Sequence, residues 1–270
     1  MNKVNLNVYL LIDNGLLQEA SASYAETDSQ SRPEWLAPIY AERALAVSPI
    51  LVDIEAAYEA GYLDQVMGYV NALTPALHVS IIETGLSLVQ ISQHLQRFIF
   101  ILDPGGKQFT LRYADCAILV PLSSVLTEVQ WATMRRPIAR WSVHDRSGCI
   151  IELRSVPVIE EVLKPLQLDL EQIAALEEAS ESDHSIAKVK MMHHGAELPG
   201  TTEEQHCWAS EARQAWLASK NPSKLYLLFL TEAAVLSRGK VLRRPEFPGY
   251  LLMDDINSFK RKLREITEKT

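Results

Sequence analysis

Four residues late in the chain could together hold a metal ion: His193, His194, Glu197 and His206. Histidines and a carboxylate within so short a span would suit a metal-dependent hydrolase. Adjacent histidines on a helix point about 100° apart, however, so both rarely reach one ion. The residues are therefore read as exposed helix-end side chains, with no metal and no cofactor; the hydrolase stays as an alternative. His144-Asp145 follows a predicted strand and could orient a base, but no nucleophile lies nearby in sequence, so a strand-end turn is the simpler reading. Asp103 stands beside Pro104-Gly105, where a carboxylate is expected to bond turn amides. Cys116, next to Asp115, has no activating cation in sequence and reads as a small buried residue.

The common catalytic signatures are missing. The chain has no GxSxG nucleophile elbow, no GxxxxGK[ST] or GxGxxG phosphate cradle, and no HExxH or CxxC. This points away from an enzyme. Two features suit protein contacts instead. Arg238, Lys240, Arg243 and Arg244 form a short basic cluster, either a solvated loop or a docking patch for an acidic partner. Trp208 and Trp216 fall on one helical face, which suits core packing or, in an aromatic-lined groove, an interface anchor.

The elements that must position these residues alternate through the first half. Val8 to Ile12 reads as a buried strand closed by Asp13-Asn14-Gly15. Residues 21–34 read as a polar loop. Trp35 to Tyr40 and Ile50 to Val52 follow as strands, and Asp53 can cap a helix. Leu77 to Ile82 is the next strand, and Thr84 is expected to cap a helix carrying Leu88, Ile91 and Leu95. Phe98 to Leu102 and Phe109 to Tyr113 flank Asp103-Pro104-Gly105-Gly106, a β-hairpin signal. Asp115 caps a turn of helix expected to stop at Pro121. Thr127 to Met134 reads as a helix, and Ile138 to Val143 as a strand that carries Trp141. Cys149 to Val156 reads as a last strand. Such alternation predicts an α/β lobe, a mixed sheet with flanking helices, over residues 1–150.

From about Leu168 the pattern is helical, which predicts an all-α lobe over residues 151–270, with the boundary near residues 145 to 158. Leu170, Ile173 and Leu176 share a face. Ser182 or Asp183 is expected to restart a helix through Ile186, Val189 and Met192, and Gly195 and Pro199-Gly200 mark a break. Thr201 opens a further helix, Asn221-Pro222 the next, and Asp254 the last, which carries Ile256, Phe259, Leu263 and Ile266.

Composition bounds the class. Hydrophobic residues make up 47% and charged ones 22% of 270 residues, a globular mix. The formal net charge of −8 argues against a sequence-independent nucleic-acid binder. Three scattered cysteines suggest a reducing compartment. No apolar stretch approaches the roughly 20 residues that cross a bilayer, and the N-terminus lacks a signal-peptide core. A cytoplasmic chain with no membrane association is expected.

The run LQRFIFILDPGGKQFTLRYADCAILVPLSSVLTEVQWATMRRPIARW resembles a family of bacterial type VI secretion adaptor chaperones, first catalogued as a domain of unknown function. The positions that carry the resemblance are Arg97, Asp103, Pro104, Gly106, Arg112, Tyr113, Asp115, Gln130 and Trp141. VYLLIDNG and PIYAERALAVSPILVDI look like the opening blocks, so the resemblance spans roughly residues 7 to 143. The family often continues its second strand with a Pro and a further Arg where this chain has Cys116-Ala117. The resemblance implies a cytoplasmic, non-enzymatic adaptor that binds a type VI effector and loads it on the VgrG or PAAR spike. In that reading the matched residues are mostly structural. Trp208, Arg238, Lys240, Arg243 and Arg244 are then the expected partner contacts. An immunity protein that neutralises a toxin is the alternative binder.

Overall fold

The computed structural model describes residues 6–20, 33–40, 47–156, 165–253 and 255–267. The chain divides into two compact units, Met1–Leu176 and Glu177–Thr270. The first carries the sheets with their flanking helices and the second is helical, so the α/β-then-α order expected from the sequence is what the chain adopts.

In the first unit the described strands form a six-stranded sheet in the order β2 (Leu36–Pro38), β3 (Ile50–Asp53), β1 (Asn7–Ile12), β4 (Val79–Thr84), β7 (Ile138–His144), β8 (Ile150–Glu152). Each neighbouring pair in it is antiparallel. β1 lies inside the sheet, which explains its unbroken apolar run. Tyr9 and Leu11 point to one face and join a core with Leu51, Ile82 and Trp141. Leu10 and Ile12 point to the other and join Val52 and Val79. A strand covered on both faces has no polar side to present.

Helices cover both faces. On the first lie α4 (Leu88–Gln96), α5 (Cys116–Val125) and α6 (Glu128–Arg135), through Ile91, Leu95, Leu119, Leu122, Trp131 and Met134. On the second, α1 (Asn14–Ala20), α2 (Ile54–Glu59) and α3 (Leu63–Val70) contribute Leu17, Ala57, Val66 and Tyr69. Trp131 and Trp141 stack at 5.9 Å between ring centroids, and the Trp141 indole N–H donates to Ser80 Oγ at 3.0 Å. A separate hairpin, β5 (Phe100–Leu102) with β6 (Gln108–Thr110), completes the unit, and a parallel bridge joins Leu102 to Gln167.

Helix starts follow the capping chemistry, with corrections. Asp53 caps α2, Asp115 caps α5, and Thr127 with Gln130 forms a capping box on α6. The cap of α4 is Ser87, not Thr84. Ser87 pairs reciprocally with Gln90, whereas Thr84 ends β4 and its hydroxyl donates to the Pro137 carbonyl. Pro121 does not stop α5, which runs on to Val125. Burial of Leu119 and Leu122 on either side of it outweighs one lost helical hydrogen bond.

α7 (Leu170–Met192), which begins in the first unit and runs on into the second, is one unbroken helix, so no restart occurs at Ser182 or Asp183. Ser182 bonds sideways to Ser210 at 3.1 Å instead of capping. Then come α8 (Thr202–Ala218), α9 (Lys224–Leu236), α10 (Phe247–Tyr250) and α11 (Ile256–Thr267). Thr201 and Glu204 form the capping box of α8. Asn221 does not cap α9: its side chain accepts from the Ser223 amide at 2.9 Å, and the helix begins at Lys224. The Asp254 cap falls outside the described residues, while the Asp255 carboxylate accepts from Asn257 and Ser258 at the start of α11. One core gathers Trp208, Tyr226, Leu230, Phe259 and Leu263. A smaller one gathers Ile186, Val189, Leu198, Ala209 and Val235.

Candidate functional site

The matched segment converges on the hairpin and the junctions beside it. In the turn, Asp103 Oδ1 accepts from the Lys107 amide at 2.8 Å and its carbonyl accepts from Gly106 at 2.9 Å. Pro104 supplies the fixed φ of the turn's first corner, and Gly106 takes φ +80°, which a side chain would resist. Gln167 donates to the Asp103 carbonyl at 3.0 Å, tying the tip to the rest of the unit. The ribbon itself stays open. Phe100 is 49% and Phe109 42% exposed, and all of β6 is exposed. Lys107 Nζ sits 4.9 Å above the Phe109 ring.

Immediately after β6, Arg112 reaches between two aspartates that each cap a helix. Its Nη2 donates to Asp13 Oδ2 at 3.1 Å and lies 3.9 Å from Asp115 Oδ2. Asp13 Oδ1 meanwhile accepts from the Leu16 amide at the start of α1, and Asp115 Oδ1 from the Ala117 amide at the start of α5. One oxygen of each carboxylate thus serves a helix and the other faces the guanidinium. The next residue, Tyr113, is fully buried and its hydroxyl donates to the Leu95 carbonyl at 2.9 Å. Burial holds that phenol well above its ordinary range.

Beside Arg112 lies a cavity of about 260 Å³ lined by Asp13, Gly15, Tyr40, Val47, Pro49, Thr110 and Arg112. Burial raises the Tyr40 hydroxyl, Asp13 adds to the shift and Arg112 opposes it. The cavity therefore offers a phenol donor and a guanidinium edge among small apolar walls. The role of Asp13 escaped sequence reasoning, which saw Asp13-Asn14-Gly15 only as a turn. Its carboxylate at the end of a buried strand was the one available signal.

The other matched residues are structural in placement. Arg97 ends α4 and lies over the Phe98 ring at 5.7 Å. Gln130 closes the α6 capping box, donates to the Gln167 carbonyl at 2.7 Å and accepts from Gln172 at 2.7 Å. Trp141 is wholly buried. Cys116 is buried too: its thiol donates to the Val79 carbonyl, and burial pushes it up to about 12.

In the second unit Trp208 is buried against Gly200 and Gly239, so closely that a Cβ on Gly239 would lie 2.7 Å from its Cδ1. Arg238, Lys240, Arg243 and Arg244 are exposed around the short 3-10 turn Lys240–Arg243. The histidines face different partners: His193 Nε2 is 2.9 Å from Glu232, and His206 Nε2 is 3.9 Å from Asp183. Among the described residues no group of three or more His, Cys, Asp or Glu is arranged to hold a metal ion, and no helix is long and apolar enough to cross a membrane.

Residues 8–133 match the model of a family described as a domain of unknown function (DUF4123). The matched span runs from β1 into α6. It contains Asp13, the hairpin, Arg112 and Asp115, and it ends before Trp141. No curated protein and no solved structure matches the chain.

Proposed function

We propose that this chain is a non-enzymatic adaptor that binds a type VI secretion effector and promotes its loading on the VgrG or PAAR spike from the cytoplasm of the producing cell. The reading rests on the resemblance carried by residues 7 to 143 and is supported by the family match over residues 8–133. The structural observation that carries it is the hairpin. Its base is fixed to the sheet by Arg112 and Asp13, while Phe100 and Phe109 remain open to solvent. A protein that shelters an apolar segment of another must keep such surface exposed on a rigid frame. Among the described residues β6 pairs with β5 alone, and a strand so placed can accept backbone from an extended partner.

The test is co-expression with the effector and spike proteins encoded beside the gene. The adaptor reading expects a stable complex with the effector and loss of effector export when the gene is deleted. Capture of neither protein together with normal export overturns it. Protection of a sensitive cell from the toxin, with export unaffected, assigns the chain to the immunity proteins instead.

A further inference from the structure

The second unit contains a groove that the matched segment does not include. It lies between α9 and α11 and encloses about 250 Å³. Phe229, Ala233, Leu236 and Leu263 make an apolar floor, and Lys260 and Arg264 stand on its α11 side. These two cations are four residues apart on one helix and so project from the same face. A second depression of about 500 Å³ shares both of them and adds Arg261.

The acids nearby are already engaged. Glu232, in the groove, is 2.9 Å from His193 Nε2, and Glu265 is 2.9 Å from Lys262. Lys260 is instead held over the Phe229 ring, with Nζ 4.3 Å from its centroid. Among the described residues neither Lys260 nor Arg264 has a carboxylate within ion-pair distance. A cation kept against an aromatic ring is partly desolvated and attracts an incoming anion more strongly than a freely hydrated one. An apolar floor beside two cations on one helix face, one of them held over Phe229, complements a chain that alternates aliphatic and acidic side chains.

We propose that the α9–α11 groove docks an acidic amphipathic segment of a partner protein. Its aliphatic side chains enter over Phe229, Leu236 and Leu263, and its carboxylates lie against Lys260 and Arg264. This rests on the adaptor reading for its biological meaning, since such a segment would belong to the cargo, but the site is tested apart from it.

The test uses the full chain and three synthetic 14-residue peptides carrying a fluorophore, read by anisotropy. One is built from Leu and Glu in helical amphipathic order, one has Gln at every Glu, and one has Ser at every Leu. The expected result is binding of the first, with at least tenfold weaker binding of the other two. Lys260→Glu with Arg264→Glu lowers affinity for the Leu/Glu peptide at least tenfold, while the melting temperature and circular dichroism stay as in the parent. Equal binding of all three peptides, no binding of any, or unchanged binding by the double variant overturns the proposal. So does displacement of the peptide by millimolar citrate alone, which marks a small-anion site. Effector capture by the parent chain is measured in parallel. Capture that survives the double variant sinks the groove and leaves the adaptor reading standing, whereas absence of capture by the parent sinks the adaptor reading alone.

Discussion

Arg112 donates to Asp13 across 99 residues of sequence, joining the end of the first strand to the base of the hairpin at 3.1 Å. The Arg112 side chain is 50% exposed and that of Asp13 only 6%, so solvent screens one partner and hardly touches the other. The pair is worth about 0.5–1 kcal/mol by itself. Asp13→Asn keeps an acceptor for the Leu16 amide and should cost about 1 kcal/mol. Asp13→Ala also removes the cap of α1 and should cost about 2 kcal/mol. A double-mutant cycle with Arg112→Ala, read by urea denaturation, should return a coupling of about 0.5–1 kcal/mol, and a coupling of zero would show the pair is idle. On the adaptor reading, an Arg112→Ala variant that kept the melting temperature yet ended effector capture would place its role at the interface and not in the scaffold.

The open hairpin makes a separate expectation. Phe100→Ser with Phe109→Ser removes exposed apolar surface, so stability should change by no more than about 1 kcal/mol. On the adaptor reading proposed above, effector recovered in co-purification should fall at least tenfold. Full recovery would move the contact surface elsewhere.

His78 gives the first unit a pH dependence. It is wholly buried, and its Nε2 donates to the Tyr69 carbonyl at 2.7 Å. That leaves Nδ1 as the bare nitrogen, buried and without a partner among the described residues. Burial lowers the pKa of His78, against the pull of the Tyr69 hydrogen bond. In the window between the folded and unfolded values the unfolded chain binds the extra proton. Stability is therefore full above about 6.5 and declines as pH falls below it. Thermal melts from pH 7.5 to 5 should show the decline, and His78→Gln, which keeps a donor near Nε2 but cannot ionise, should flatten it. An equal slope in the variant would assign the effect to other groups.

Two glycines with positive φ separate backbone strain from contact. Gly106, at φ +80°, has open space where a Cβ would go, and Gly239, at φ +75°, has the Trp208 ring. Gly106→Ala should cost about 1 kcal/mol, the strain alone. Gly239→Ala should cost about 3 kcal/mol, because the indole has to move within a packed core. Similar losses at both sites would mean that the ring yields easily.

The three thiols should react unequally. Cys116 is buried with its thiol pushed up to about 12, while Cys149 and Cys207 are exposed. At pH 8 the folded protein should react first at Cys149, more slowly at Cys207, whose thiol is raised by partial burial and by Glu211 beside it, and at Cys116 only in denaturant. Three prompt equivalents would contradict the packing around α5.

Much of this was readable in the residues because it is local. Asp53, Asp115 and Thr127 announce their helices by chemistry that acts over two or three positions. The run Val8 to Ile12 announces a strand covered on both faces. The readings that failed depended on distant neighbours. Ser87 lies three residues beyond Thr84, and only the Pro137 carbonyl, brought in by the strand pairing, gives the Thr84 hydroxyl its other use. Ser182 resembles a cap until Ser210 of another helix takes its hydroxyl. Pro121 breaks an isolated helix but not one whose flanking leucines are already buried. At the site, Arg112 and Asp115 are close enough in sequence to be paired on paper. Asp13, the nearer partner, is reachable only through the fold.

The stacked indoles of Trp131 and Trp141 also provide an optical handle. Two chromophores 5.9 Å apart and tilted by 17° share their excited states, so their circular dichroism should carry an exciton doublet that isolated tryptophans lack. That doublet belongs to the sheet core and vanishes when the core loosens. It would report the unfolding of one part of this polypeptide against the background of its other three tryptophans.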